Sequence, residues 1–504
     1  MSMPKNTIAN LLSPASQNDN AIIIPNGPTT SYAQYADEIE RTSGLLAAAG
    51  VKPRRPVSIA LVNNLEFMVL FLAVARAGAI AAPLNPAYTV DEFKFFMQDA
   101  DSQMVIVPSG ENLAREAANE LGIPVVNASL DGNHVVLSNS LGKLTKVTDP
   151  QPPSPEDLAL FLHTSGTTSR PKGVPLTHSN LMKSIKNIKN HYVLRPDDTS
   201  IIVMPLFHVH GLMGASLSTL NSGGSLVIPE RFSASNFWNL QKDYSATWYS
   251  AVPTIHQILL MRANDDNAPD KSFRFIRSCS SALAPAIFEK LESRFGAPVL
   301  EAYGMTEASH QMSSSPMPPG KRIPGTVGQA TGVEIAIMDM EAKGQLQSPD
   351  KIGEVVIKGE NVMHGYNKNP EANAEAFVKG WFRTGDQGFL DANGYLSLTG
   401  RIKELINRGG EKISPLEVDG VLLKHPAVAE AVCFAVPDEK YGEVVQAAVV
   451  LNGDTDQESI QNYCREQLAD FKVPDVVYIT DALPRTATGK IQRRHMVSAF
   501  VNTD

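Results

Sequence analysis

Between Tyr35 and Ser129 the chain alternates between two periods. "YADEIERTSGLLAAAG", "EFMVLFLAVARAG", "DEFKFFMQDAD" and "ENLAREAANELG" carry apolar residues at helical spacing. Set among them, "PVSIALV", "AIAAPL", "SQMVIVPS" and "IPVVNAS" are apolar runs of strand length. Strand-then-helix repetition returns each strand parallel to the last, so it dictates βα units around a mostly parallel sheet.

A chain of 504 residues exceeds what one core holds. After the connector "QPPSPED", "LALFLH", "SIIVMPL", "GSLVIP", "SATWYSAV", "FRFIRSC" and "PVLEAYG" read as further strands. From about residue 325 the texture changes to short strands with glycine turns, "EIAIMDM", "GEVVIKG" and "GYLSLTG". A last unit begins near "GRIKELINRGG", with strands in "AVAEAVCFAV", "VVQAAVVL" and "DVVYIT" and a helix in "DQESIQNYCREQLADF". The expected architecture is α/β. Residues 1–400 form a large domain of βα-layered sheets with a small antiparallel, barrel-like subdomain, and residues 401–504 a small α+β domain.

A net charge of −9 argues against a broad nucleic-acid or anionic-membrane surface. The three cysteines (Cys279, Cys433, Cys464) lie far apart without a CxxC pair, which points to a reducing compartment. The longest apolar stretch, "FMVLFLAVARAGAIAAPL", is broken by Arg76 and reads as a buried helix rather than a span of about 20 residues. The first residues lack a signal-peptide pattern and the last, "FVNTD", lack an SKL-type address, so a cytosolic location is expected. No oligomeric state is set by the sequence; a monomer is compatible with it.

"HTSGTTSRPKGVPLTH", His163 to His178, concentrates hydroxyl, glycine and basic residues. It is not a Walker loop: Lys172 precedes Gly173, and Pro171 removes a backbone donor. Its glycines and hydroxyls still suit an anion-binding nest.

Four more segments follow in order: "EAYGMTEAS", "WFRTGD", "GRIKELINRGGEKISPLEVD" and "PRTATGKIQRR". With the loop, they resemble the signature motifs of the acyl-adenylate-forming superfamily over nearly the whole chain. "PLFHVHGL", "RFSASNFW", "ATWYSAVPTIHQI" and "FRFIRSCSSALAP" are similar, within that superfamily, to the oxalate–CoA ligases.

The resemblance implies an ATP-dependent, AMP-forming ligase with Mg2+ as cofactor and CoA as co-substrate. It implies that Thr164, Ser165, Gly166, Thr167, Thr168 and Lys172 cover the β- and γ-phosphates. Thr306 would touch phosphate and Glu307 would hold Mg2+. Ser281, Ala282, Glu301, Ala302 and Tyr303 would frame adenine, and Asp386 and Arg401 would bind the ribose. Lys490 would bridge the substrate carboxylate and the α-phosphate. Lys403 would be the hinge of a small mobile domain, and Arg408, Gly409, Gly410 and Lys472 would meet CoA.

The acid must be read from the acyl pocket. Oxalate is a short dianion whose second carboxylate needs donors in place of an apolar tunnel. His208, His210, His256, Ser280, His310, Arg231 and Arg277 are candidates; His208, Ser280 and His310 are the expected set. Trp248 and Tyr249 close the pocket or pack the core, core packing being the simpler role. Malonate, acetate or a hydroxycinnamate is the alternative acid. A histidine metal site, a carrier-protein acceptor and a non-catalytic nucleotide-binding relative are the further readings, and a Ser–His–Asp hydrolase lacks its G-x-S-x-G elbow.

Overall fold

The computed structural model describes residues 5–12, 18–164, 171–263, 273–486 and 488–501. The βα alternation builds two large sheets. In the first, strands Leu158–Thr164, Ile80–Pro83, Pro56–Ile59, Met104–Pro108 and Val125–Asp131 lie side by side in parallel. Antiparallel strands close both edges: Lys172–Thr177 on one side, His134–Asn139 and Gly142–Lys143 on the other.

The second sheet runs in the order Val299–Met305, Phe275–Ser278, Trp248–Ala251, Thr199–Ile201, Ser225–Val227 and Asn20–Ile23, all parallel. His310–Ser314 returns antiparallel beside Val299–Met305. This sheet presents the C-terminal ends of several parallel strands at one rim, where α/β proteins place their ligands.

Helix Leu65–Arg76 is buried all round from Phe67 to Ala75. At 12 residues it is a core helix, and among the described residues no helix is long and apolar enough to cross a membrane. Asn64 caps its N-terminus by accepting from the Phe67 amide, and the chain leaves it through Gly78 at φ +71°.

From Glu334 the pairing is antiparallel, except that Val476–Ile479 lies parallel to Gly442–Leu451. Glu334–Met338, Gly353–Lys358, Phe377–Val378, Trp381–Leu390 and Leu396–Arg401 make a small curled sheet. Beyond the turn Ile402–Glu404, strands Ile406–Arg408, Glu411–Ile413, Val428–Asp438, Gly442–Leu451 and Val476–Ile479 form a fourth sheet. It has its own core around Ile406, Val418, Cys433, Ala447 and Ile460.

Two details depart from the sequence reading. The sequence reads "LALFLH" as a strand running into a loop, yet "KGVPLT" is a strand too, pairing antiparallel with Leu158–Thr164 and leading into helix His178–His191. Pro175 fits there because the strand is an edge. The helix expected across Asp456–Phe471 covers Gln457–Arg465, followed by a turn at Asp470–Lys472.

Candidate active site

A cavity of about 520 Å3 lies where the first three sheets meet the Thr486–Lys490 segment of the last unit. Its wall takes Leu162, Thr164 and Lys172 from the antiparallel edge pair of the first sheet, and Ser280, Gly304–Glu307 and His310 from the rim of the second sheet. The curled sheet adds Glu354, Arg383, Gly385 and Arg401; the last unit adds Thr486, Thr488 and Lys490. That volume suits a nucleotide-sized ligand.

At one end Tyr366 joins two charged groups. Its hydroxyl donates to Glu307 Oε1 at 2.9 Å, and Lys172 Nζ sits 4.1 Å from its ring centroid. Burial pushes the Glu307 carboxyl above the usual range, partly offset by Tyr366, Arg401 and Lys172. Ser165, Gly166, Thr167 and Thr168 lie outside the described residues. Among the described residues no group of three or more His, Cys, Asp and Glu side chains is placed to hold a metal alone. One carboxylate beside the Thr306 hydroxyl matches instead Mg2+, a hard cation that keeps waters and shares phosphate oxygens.

The nucleoside residues divide. The Tyr303 hydroxyl donates to Asp386 Oδ2 in a short hydrogen bond, and Arg401 Nε lies 3.1 Å from Asp386 Oδ1. Burial raises the Asp386 carboxyl pKa despite Arg401. Ser281 and Ala282 are exposed in the turn after strand Phe275–Ser278, while Ala302 is buried in its strand. Glu301 does not face the cavity. Its side chain is buried and accepts from the Leu283 amide at 2.9 Å, anchoring that turn from behind. Burial raises its carboxyl to about 8.

Lys490 is presented by a tight turn. The amide of Gly489 (φ +85°) donates to Thr486 O, the Lys490 amide donates to Thr486 Oγ1, and Arg485 bridges to Ile491. Thr254 Oγ1 donates to Gly489 O at 3.2 Å, docking the turn on the large domain. Burial lowers the lysine's pKa.

His208, Ser280 and His310 line the cavity together with Lys490. His208 caps the turn Val209–Gly211: its Nδ1 accepts from the His210 amide at 3.2 Å. The proton therefore sits on Nε2. Burial, and then Lys490, lower its pKa to about 3, so it is a neutral donor. Ser280 has φ +75° and His310 φ +103°, a region disfavoured for side-chain-bearing residues. Hydrogen bonds hold the strained turn before His310: Ser184 Oγ donates to Ser309 O, Ser309 Oγ to Asn361 O, and Asn361 Nδ2 to Ala308 O.

The remaining candidates stand elsewhere. His210 is buried behind Ser280, with Nδ1 2.9 Å from Ser280 Oγ and Nε2 2.7 Å from Ser250 Oγ. His256 meets the Tyr249 hydroxyl at 3.0 Å, within the second core. Trp248 and Tyr249 are core residues on opposite faces of their strand. Arg231 is exposed and not part of the wall. Arg408, Gly409, Gly410 and Lys472 are also absent from the wall; Lys472 pairs with Glu417 at 2.7 Å and Arg408 lies over the Tyr441 ring. Lys403, in the turn Ile402–Glu404, reaches the cavity edge.

Two residues escape a reading by motif. Tyr366 stands outside every quoted segment. Ser250 lies inside "ATWYSAV", where alternation puts it on the Trp248 face, but nothing local marks it as polar machinery.

Residues 13–367 match the AMP-binding enzyme family and residues 417–490 the AMP-binding enzyme C-terminal domain. The chain belongs to this family of AMP-binding enzymes. It is 52% identical to an oxalate–CoA ligase of Arabidopsis thaliana, over 94% of this chain and 93% of that protein. It is 46% identical to an oxalate–CoA ligase of Saccharomyces cerevisiae, over 97% and 96%. The crystal structure of ATP-bound MatB from Rhodopseudomonas palustris superposes with a TM-score of 0.89 at 32% identity, covering 99% of each chain.

Proposed function

We propose that the chain is an ATP-dependent oxalate–CoA ligase, converting oxalate, ATP and CoA to oxalyl-CoA, AMP and pyrophosphate through an oxalyl-adenylate. The observation that carries this reading is that His208, Ser280 and His310 line one cavity together with Lys490. The oxalate–CoA ligases that resemble the chain over nearly its whole length point the same way.

One oxalate carboxylate attacks the α-phosphorus and pyrophosphate leaves. Lys490 lies between the two anions that meet there and offsets the charge of both. His208 donates through Nε2–H to the reacting carboxylate. Lys172, with the adjoining Thr164–Thr168 loop, holds the departing phosphates. Glu307 with Thr306 would hold Mg2+, which would neutralise phosphate charge when bound. Tyr303, Ser281 and Ala282 flank adenine, and Asp386 exchanges its Tyr303 contact for the ribose hydroxyls alongside Arg401.

The CoA thiol then displaces AMP from the acyl carbon. The chain works as a domain of residues 1–400 and a mobile domain of residues 401–504 turning at Lys403. Turning withdraws Lys490 and brings Arg408, Gly409, Gly410 and Lys472 toward the cavity. Gly409 and Gly410, at φ +61° and +98°, let a thin thiol arm pass close to the backbone. The three free cysteines, all buried, fit a cytosolic site of action.

The test is ATP–pyrophosphate exchange with oxalate, malonate, acetate and coumarate, followed by mass detection of the CoA thioester. Oxalate is expected to drive exchange and yield oxalyl-CoA. Exchange with acetate or coumarate but not oxalate overturns the assignment.

A further inference from the structure

Arg277 is fully buried behind the cavity, on strand Phe275–Ser278. No carboxylate accepts from its guanidinium among the described residues, and the Cys279 thiol stands beside it. Nε donates to the Tyr192 hydroxyl at 2.8 Å, Nη1 to Ser250 Oγ at 2.8 Å, and Nη2 to Gln311 Oε1 and His310 Nε2, each at 2.9 Å. Among the described residues no ion pair joins it to a carboxylate. Guanidinium stays charged in proteins, and a buried charge without an anion is costly.

That charge also dictates where the neighbouring protons go. Arginine only donates, so His310 Nε2 must accept and the His310 proton sits on Nδ1. Ser250 Oγ accepts from Nη1, which leaves its own hydrogen for His210 Nε2, 2.7 Å away. His210 then carries its proton on Nδ1 and donates to Ser280 Oγ at 2.9 Å. The Ser280 hydrogen is left free to turn into the cavity. Two chains thus start at one cation and end at the two cavity-lining side chains held at positive φ.

We infer that Arg277 sets the acid specificity of this site. It acts as a positioning residue whose charge and hydrogen bonds make His310 Nδ1–H and the Ser280 hydroxyl obligate donors to the second carboxylate of a small diacid. The inference rests on the diacid reading of the cavity and adds to it the origin of the discrimination. The second negative charge of the diacid is the counter-ion that the buried guanidinium lacks. A neutral group of the same size receives the donors but not the charge pairing.

Oxamate provides the comparison, since it keeps the reacting carboxylate and replaces the second one with a neutral amide. In Arg277→Met, oxalate-dependent exchange is expected to fall by about 100-fold or more and oxamate-dependent exchange, which loses the ordered donors but no charge pairing, by about 10-fold at most, so that the oxalate-to-oxamate ratio drops by about 10-fold or more. Ser250→Ala cuts one chain and keeps the charge; its expected effect is a roughly 10-fold higher KM for oxalate with kcat retained. An unchanged oxalate-to-oxamate ratio in Arg277→Met overturns the inference and leaves the diacid reading standing. If that variant does not fold, an unchanged KM for oxalate in Ser250→Ala overturns it. Wild-type protein that activates oxamate or acetate as well as oxalate overturns the diacid reading itself, and the inference with it.

Discussion

The hydroxyl of Tyr366 lies 2.9 Å from Glu307 Oε1 and donates to it. The same ring carries Lys172 on its face at 4.1 Å. One side chain therefore orients both the proposed magnesium carboxylate and a proposed phosphate cation, through its polar tip and its π face respectively. Tyr366→Phe removes only the tip. It is expected to raise KM for MgATP by about 5- to 10-fold with the KM for oxalate unchanged. Steady-state kinetics at several magnesium concentrations checks this; an equal rise in both KM values contradicts it.

Gly214 tests the packing behind the acyl floor. A Cβ placed there would lie 2.3 Å from His310 Nε2 and 3.2 Å from Arg277 Nη1. Its segment, Leu212–Leu217, is a π-helical turn, a form often found beside functional sites. Gly214→Ala is expected to displace the His310 ring and lower kcat/KM for oxalate by at least about 10-fold, sparing the KM for ATP. A crystal structure with the ring unmoved would count against this.

Lys490→Ala separates the half-reactions. Adenylation is expected to slow by about 100- to 1,000-fold, since the cation between two converging anions is lost. Thioester formation from supplied oxalyl-adenylate and CoA is expected to persist, because the proposed role of Lys490 lies in the first step alone. Equal loss in both half-reactions, measured by single turnover, argues against the assigned role.

Glu301→Gln is expected to stabilise the protein at alkaline pH. Folded, Glu301 keeps its proton to about pH 8; unfolded, it ionises near 4.5. Between those values the unfolded state binds fewer protons, so stability falls as pH rises, by up to about 1.4 kcal/mol per unit, and levels off above 8. The glutamine variant keeps the acceptor for the Leu283 amide and removes the titration. Denaturant melts at pH 4 and pH 8 are expected to coincide with wild type at the first and exceed it at the second.

The buried histidines act in the opposite direction. Burial lowers His208 and His256 to about 3 and His178 to about 4, against 6.5 unfolded. Below 6.5 the unfolded state binds more protons, so stability drops as pH falls toward 4, by up to about 1.4 kcal/mol per unit for each histidine. Calorimetry at pH 5 in buffers of different ionisation enthalpy should register proton uptake on unfolding; proton release would contradict it.

The sheets and the motif-bearing loops were legible because their signals are local. A strand of Val57 and Ile59 or a helix of Phe67 to Ala75 follows from a period read within a dozen residues. Runs such as Gly304–Glu307 and Thr486–Lys490 keep their chemistry contiguous, so they remain recognisable in one dimension. Edge strand Lys172–Thr177 was missed because Pro175 breaks strand propensity, and only its place at the sheet margin makes that harmless. The direction of the Glu301 side chain, back onto the Leu283 amide, was not legible because alternation along a strand does not say which of two buried faces borders a cavity.

The sequence by itself therefore determined the α/β layering and the family of chemistry, and it singled out His208, Ser280, His310 and Lys490, which line one cavity. Tertiary structure alone decided how those residues are polarised. Ser250 and His310 lie 27 and 33 positions from Arg277 along the chain, and they meet because three strands within a run of four in one sheet bring them together. A hydrogen bond depends on a few tenths of an ångström and on direction, and a buried charge on everything around it. Neither can be read from spacing along a chain.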